Sequence, residues 1–359
     1  MMQAVGSAGT ERGQYRMRAL VLEAANEPFR LTDVPDPTPG PGEAVARVFA
    51  CGAGLTIQHI KAGRSPAALP RIIGHEIAGE IAEVGAGVAD LKFGDPVTAY
   101  YYLFCGHCRP CLSGYEPLCQ NLAGQIGKVC DGGYAEYIKL PARNFIKLPE
   151  GLDHRTHPAE IGVIADALAT PYKVLRRGRV RRGDVVAVFG AGGGLGIHQL
   201  LMAKWAGARI IAVDIARDKF DACRSAGADE VVDASAGDVA EALAELTRGR
   251  GLDVAIDYVS SSATLGAAVK ALGPLGRLVT LAGAGQDARI PLSMLRQSEK
   301  EVLASRYVSR AEVIDVLEIV ARGEVWPVVT DIRPMEEAEE LHALLEESKV
   351  TGRAALRIA

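Results

Sequence analysis

The chain has 359 residues, enough for two domains of roughly 100 to 200 residues, each with a full core. Hydrophobic residues make up 48% and charged residues 23%, the ordinary balance of a globular protein. With 40 Lys and Arg against 44 Asp and Glu the net charge is -4, far from the basic excess that a phosphate backbone demands, so nucleic acid is not an expected partner.

Residues 1–16 are mostly small and polar and lack the apolar core of a signal peptide. They read as a flexible extension, with the ordered fold starting at Met17. Strand-type runs follow at 17–22 (MRALVL), 43–48 (EAVARV), 77–84 (IAGEIAEV) and 134–139, with the turn PDPTPGPG between the first two. This first third is an irregular β region. No stretch approaches the roughly 18 consecutive apolar residues of a membrane span, and no membrane partner is expected.

Four of the seven cysteines crowd into residues 105–119. An odd count with that crowding argues against a disulfide framework and for a metal site in a reducing, cytoplasmic setting. Cys105, Cys108, Cys111 and Cys119 form C-x2-C-x2-C-x7-C, a spacing that closes a tetrahedron of thiolates around one structural Zn²⁺ with no open position.

From Asp184 onward, apolar strands alternate with helical patterns: VVAVFG, 197–206, RIIAVD, 219–226, EVVDA, VAEALAELTRG, LDVAIDYV, TLGAAVKAL and GRLVTLAG. That alternation predicts a parallel sheet covered on both faces, an α/β class. The arginines at 176, 177, 179, 181 and 182 read as a solvated linker before its first strand. An acidic amphipathic helix (335–349) and a strand (354–358) close the chain.

In AVFGAGGGLGIHQLL, Gly190, Gly192, Gly193, Gly194 and Gly196, with Leu195 among them, lie between an apolar strand and a helix. Glycines there permit a tight turn and close approach to a pyrophosphate, and the helix start presents free N–H groups. Asp214 ends the next strand, eighteen residues after Gly196, where a carboxylate accepts both ribose hydroxyls and repels a 2′-phosphate. NAD(H) is therefore expected over NADP(H). Arg217 and Lys219 stand close enough in sequence to soften the repulsion, and Lys219 joins the cofactor candidates.

Taken together, the four-cysteine lobe, GHE at 74–76, GDPV at 94–97, DGGYAEY at 131–137, the nucleotide loop and GAD at 227–229 resemble the zinc-containing medium-chain dehydrogenase/reductase superfamily, alcohol dehydrogenase type. The resemblance runs from about Met17 to Ala359. It implies a GroES-like β-rich catalytic domain (17–167, completed by 307–359) with a Rossmann-fold dinucleotide-binding domain inserted at 168–306. It also implies a homodimer or homotetramer joined at a Rossmann edge strand, here expected near 288–292. The substrate implied is a small alcohol, aldehyde or ketone.

The family also holds a catalytic zinc through a Cys, a His and a third Cys, Asp or Glu. Here the cysteine position reads Gly54, which has no donor, while His75, with Glu76 beside it, and Asp166 match the other positions. One imidazole and two carboxylates either hold a metal with fewer ligands or supply acid catalysis directly. Cys51 stands three residues away along a strand, on the face opposite to Gly54. By resemblance, Thr56 hydrogen-bonds the substrate oxygen, His59 relays the proton to solvent through the cofactor ribose, and Tyr101 is a pocket aromatic and a further proton donor. Two alternatives stay open: a zinc-independent reductase of an activated C=C bond, and a catalytically silent nucleotide-binding relative.

Overall fold

The computed structural model describes residues 16–282 and 287–359. The extension read over 1–16 lies outside the described residues except for Arg16, which opens the strand Arg16–Leu22. Among the described residues no helix is long and apolar enough to cross a membrane.

Six parallel strands make one sheet: β1 (Val185–Phe189), β2 (Arg209–Asp214), β3 (Glu230–Asp233), β4 (Leu252–Asp257), β5 (Leu272–Thr280) and β6 (Glu301–Ala304). Their order is β3-β2-β1-β4-β5-β6, the Rossmann arrangement. Every residue of β1 is buried, because helices cover both faces and leave no solvent side to the sheet. The order reverses between β1 and β4, and ligands bind in the crevice at the carboxyl ends of strands beside such a reversal.

The edge of this sheet is not where the sequence suggested. Residues 288–292 form no strand. Pro291 caps a helix, Leu292–Gln297, and the edge is β6, in register with β5 through Arg277 opposite Glu301. Proline offers no N–H to a ladder and its fixed φ suits a helix start, so the apolar run turned helical. The arginines before β1 are not a bare linker either: Arg176 lies 3.6 Å from Glu312, and Arg179 pairs with Glu301 on β6.

The first third builds a mostly antiparallel sheet around the long strand Glu43–Ala53, which pairs with Glu76–Val84 and Tyr137–Pro141. Arg353–Arg357, at the end of the chain, pairs with the same strand, Ala354 opposite Ala53. The last residues thus complete the first sheet. The predicted strand at 43–48 continues to Ala53 because its end is built of small residues. At Gly52 a Cβ would collide with the Glu76 carboxylate and with Val163 on the helix Pro158–Val163.

Candidate active site

The nucleotide loop follows β1 and runs into the helix Gly194–Trp205, with Gly193 as its N-cap. Gly190 has φ +72°, a left-handed conformation that glycine adopts without Cβ strain. At Gly196 a Cβ would strike the carbonyl of Gly190, so the helix can start this close to the strand only without a side chain. The first-turn N–H groups have no intrahelical partner and carry the positive end of the helix dipole, which suits a pyrophosphate. These residues fit a dinucleotide.

Asp214 sits at the end of β2 beside that loop. Its carboxylate accepts the Gly192 N–H at 2.7 Å and the Ala216 N–H at 3.0 Å, which fixes its orientation and leaves one lone pair on each oxygen. The neighbouring cations do not neutralise it. Arg217 donates to Asp233 at 2.5 Å, and the buried Lys219 donates to the Ser348 and Val350 carbonyls at 2.6 and 2.8 Å. Lys219 therefore ties the loop region to the C-terminal segment, with its stem packed against Gly192.

At the other end of the same cleft three acids and bases meet. Asp166 lies on a single π-helical turn, Ile164–Leu168, a local widening that turns its carboxylate inward. His75 Nε2 stands 3.1 Å from Asp166 Oδ2, and the Thr170 hydroxyl donates to Oδ1 at 2.8 Å. Burial lowers the His75 pKa and keeps the ring neutral, so Nε2–H donates to Asp166 while Nδ1 is left without a partner. The ring lies beneath Tyr101, centroids 4.1 Å apart, and is 2% exposed.

Arg353, which the sequence reading overlooked, organises this cluster. Its Nε donates to Glu76 at 3.0 Å, Nη2 makes a second bond to the same carboxylate, and Nη2 stands 3.9 Å from Asp166. A Cβ on Gly54 would run into the guanidinium, so Arg353 fills the space that a side chain at 54 would need. The clue in the sequence was a lone cation opening the otherwise apolar run RAAL at 353–356.

These contacts bear on a second metal. Donor atoms of His75, Glu76 and Asp166 lie within 4.8 Å of one another. However, Glu76 is claimed by Arg353 and Gly54 offers nothing, which leaves two free protein donors where catalytic zinc takes three. A fixed guanidinium charge also already offsets one of the two carboxylates. The residues present do not fit a resident catalytic zinc. Cys51 does not repair the gap, since its buried thiol packs against Gly74 and Gly133, away from Gly54.

Thr56 lies in the first turn of the helix Leu55–Lys61 and lines the cleft, as do Tyr101, Asp166 and Arg353. His59 is one turn on along the same helix, exposed and outside the cleft wall. Partial burial of its ring lowers its pKa, with the Arg64 charge adding to the effect. Between these two residues Gln58 points inward to a chain that sequence reasoning also missed. The Tyr134 hydroxyl meets His342 Nε2 at 3.0 Å, His342 Nδ1 meets Gln58 Oε1 at 2.7 Å, and Gln58 Nε2 donates to Glu346 at 2.8 Å. Since the Gln58 oxygen can only accept, Nδ1 carries the proton and Nε2 accepts from Tyr134.

The four cysteines of the 105–119 lobe converge as their spacing required. Cys108 Sγ lies 3.3 Å from Cys111 Sγ and 3.8 Å from Cys119 Sγ, and Cys105 Sγ lies 4.0 Å from Cys111 Sγ. The Cys108 N–H donates to Cys105 Sγ at 3.4 Å, which favours the Cys105 thiolate, and the Cys105 N–H donates to Cys119 Sγ at 3.3 Å. The set fits one tetrahedral zinc, which would supply the folding energy of a loop with little core of its own.

Comparison with known proteins agrees with this architecture. Residues 40–150 match the family model for the alcohol dehydrogenase GroES-like domain, and residues 194–322 match that for zinc-binding dehydrogenases. The chain is 31% identical to an NAD-dependent alcohol dehydrogenase of Sulfurisphaera tokodaii, covering 95% of this chain and 99% of that one. It is 33% identical to an alcohol dehydrogenase of Geobacillus stearothermophilus at the same coverage. Among solved structures, AibC superposes with a TM-score of 0.89 at 32% identity, over 99% of this chain and 100% of that one. The cobalt- and zinc-bound thermostable alcohol dehydrogenase of Pyrobaculum aerophilum superposes with a TM-score of 0.84 at 30% identity, over 96% and 100% of the two chains. With GroES-like and Rossmann parts in the expected order and relatives matched along nearly their whole length, the chain belongs to the zinc-containing medium-chain dehydrogenase/reductase superfamily, alcohol dehydrogenase type.

Proposed function

We propose that this protein is an NAD(H)-dependent oxidoreductase that moves a hydride between the nicotinamide C4 and the carbon of a small alcohol, aldehyde or ketone. The observation that carries the reading is a single cleft of about 840 Å³ lined at one end by the glycine loop and Asp214 and at the other by Thr56, Tyr101, Asp166 and Arg353. That volume lies at the large end for ligand pockets and suits a dinucleotide with a substrate beside it. The NAD dependence of the Sulfurisphaera relative supports the choice of cofactor.

NAD(H), when bound, supplies the two-electron chemistry. The chain's own residues hold it and manage the proton. Loop N–H groups take the pyrophosphate, and Asp214 accepts from the adenosine ribose hydroxyls. In the oxidation direction the carbinol hydrogen leaves as hydride and the hydroxyl proton passes to the Thr56 hydroxyl. From Thr56 the proton would pass toward His59, one turn on along the same helix, and so to solvent, and reduction would take up its proton by the same residues. Replacing Thr56 by Ala should lower kcat by about 10²-fold or more while leaving NADH affinity unchanged. Tight NADH binding with no turnover of any alcohol, aldehyde or ketone would sink the reading.

A second reading, hydride delivery to an activated C=C bond, is favoured by Arg353 occupying the space at Gly54. No metal is then needed at the acceptor oxygen. Tyr101, whose pKa burial raises, keeps the proton that the neighbouring carbon would take up. Product analysis with an enone and NADH separates the readings: a saturated ketone supports C=C reduction and an allylic alcohol supports carbonyl reduction.

A further inference from the structure

Two cations line the cleft that neither cofactor binding nor the proton path uses. Lys128 and Arg306 stand on its Tyr101 and Tyr102 side. Each is held by a neutral group: Lys128 Nζ donates to the Ser65 hydroxyl at 2.8 Å, and Arg306 Nε donates to the Tyr102 hydroxyl at 3.1 Å. The Arg306 guanidinium also lies 5.2 Å from the Tyr102 ring centroid. Among the described residues neither is paired with a carboxylate. Of the other cations lining the cleft, Arg353 has Glu76, Lys349 has Glu347, and Lys219 is taken up by the Ser348 and Val350 carbonyls.

Asp166, which lines the same cleft, lies within ion-pair distance of Arg353 but of neither Lys128 nor Arg306. Both Asp166 oxygens already accept bonds, from His75 and Thr170. Burial and the Arg306 charge together lower the Lys128 pKa. The pyrophosphate of a dinucleotide is provided for at the glycine loop, where Arg353 approaches Gly194. What remains for Lys128 and Arg306 is the substrate.

We propose that Lys128 and Arg306 form a subsite for an anionic group, a carboxylate or a phosphate, so that the alcohol or carbonyl compound turned over is itself an acid. The subsite deepens the oxidoreductase reading above and rests on it for its place in the reaction. A guanidinium fork and an ammonium point charge together bind one planar or tetrahedral oxyanion, and Ser65 and Tyr102 hold the two heads ready for it. With the anion fixed there, the reacting carbon is positioned from its far end.

Titration calorimetry on protein saturated with NAD⁺ tests this without turnover, because the cofactor covers the pyrophosphate loop. The probes are succinate, inorganic phosphate and uncharged succinamide. At least one anion should bind about tenfold or more tightly than succinamide, more weakly as salt rises, and about tenfold more weakly to the Lys128→Gln/Arg306→Gln double variant, whose NAD⁺ affinity is unchanged. Whichever anion binds identifies the group. The exposed Arg306→Gln alone should show part of the loss in a fold that keeps its thermal transition. Anions that bind no better than succinamide, or equally well to the variants, would overturn the subsite. Anion binding without turnover of any alcohol, aldehyde or ketone, acidic or neutral, leaves the subsite standing and removes the oxidoreductase reading. Turnover of neutral alcohols without anion binding does the reverse.

Discussion

Gly54 leaves Arg353 the room that a side chain would take, and the guanidinium settles there against Glu76. Both partners are buried, with side-chain exposures of 7% and 0%, so the pair is strongly interdependent. Arg353→Leu would strand the Glu76 charge and should cost about 3–5 kcal/mol, read as a fall in the denaturant midpoint. Arg353→Lys restores the charge but not the two-pronged contact and should recover only part of that loss. Gly54→Cys forces a Cβ into the guanidinium, with an expected cost of about 1–3 kcal/mol and no new metal. Mass spectrometry of metal content is decisive here. Near one zinc per chain in both proteins agrees with the unfitted donor set, whereas two zincs in the natural chain would refute it.

The helices Leu55–Lys61 and Ala338–Glu346 meet through the Tyr134–His342–Gln58–Glu346 chain, so the helix that carries Thr56 is steadied by a titratable group. Burial depresses the His342 pKa from 6.5 to about 3, and the ring is neutral in the fold. The unfolded chain binds a proton that the fold refuses, so stability from this contact is complete above pH 6.5 and drains as pH falls from 6.5 toward 3. The thermal midpoint should follow that window, and His342→Gln should flatten it while lowering stability at neutral pH. The cysteine lobe is a second such element. Cys111→Ser, or stripping with a chelator, should remove the zinc and open residues 105–119 to limited proteolysis while both sheets stay protected.

Across the whole molecule the C-terminal strand is the joint between the two sheets. Gly352 N–H donates to the Gly192 carbonyl at 3.2 Å, Lys219 reaches Ser348 and Val350, and Arg353 spans from Glu76 to Gly194. A cofactor seated on the loop therefore leans on both halves. NADH at about 100 times its Kd should stabilise the protein by about 2.7 kcal/mol. On the proposed role of Asp214 at the adenosine ribose, NADPH should bind at least about tenfold more weakly, because the carboxylate would repel a 2′-phosphate while Arg217 and Lys219 are engaged elsewhere. Asp214→Ala should narrow the gap. Equal shifts from the two cofactors in a thermal scan would count against Asp214 as the selector.

Local signals sufficed for what local physics governs. The strand–glycine–helix pattern, the acid ending the next strand and the cysteine spacing each describe backbone and ligand geometry within a few residues, so the nucleotide loop and zinc lobe were legible. The edge strand was not, because Pro291 acted on an apolar run that otherwise suits either element. Nor were the partners of Gly54. Arg353 lies 299 positions away, and only the return of the final strand to Glu43–Ala53 brings its guanidinium into the acid cluster. The same holds for Lys128 and Arg306 lining one cleft and for His342 against Gln58. The sequence by itself determined the fold class, the glycine loop between strand and helix and the convergence of the four cysteines. Which charges meet in the cleft, and whether a cation of the chain occupies a ligand's place, was decided by tertiary structure, since ion pairing depends on distance in space and is blind to distance along the chain.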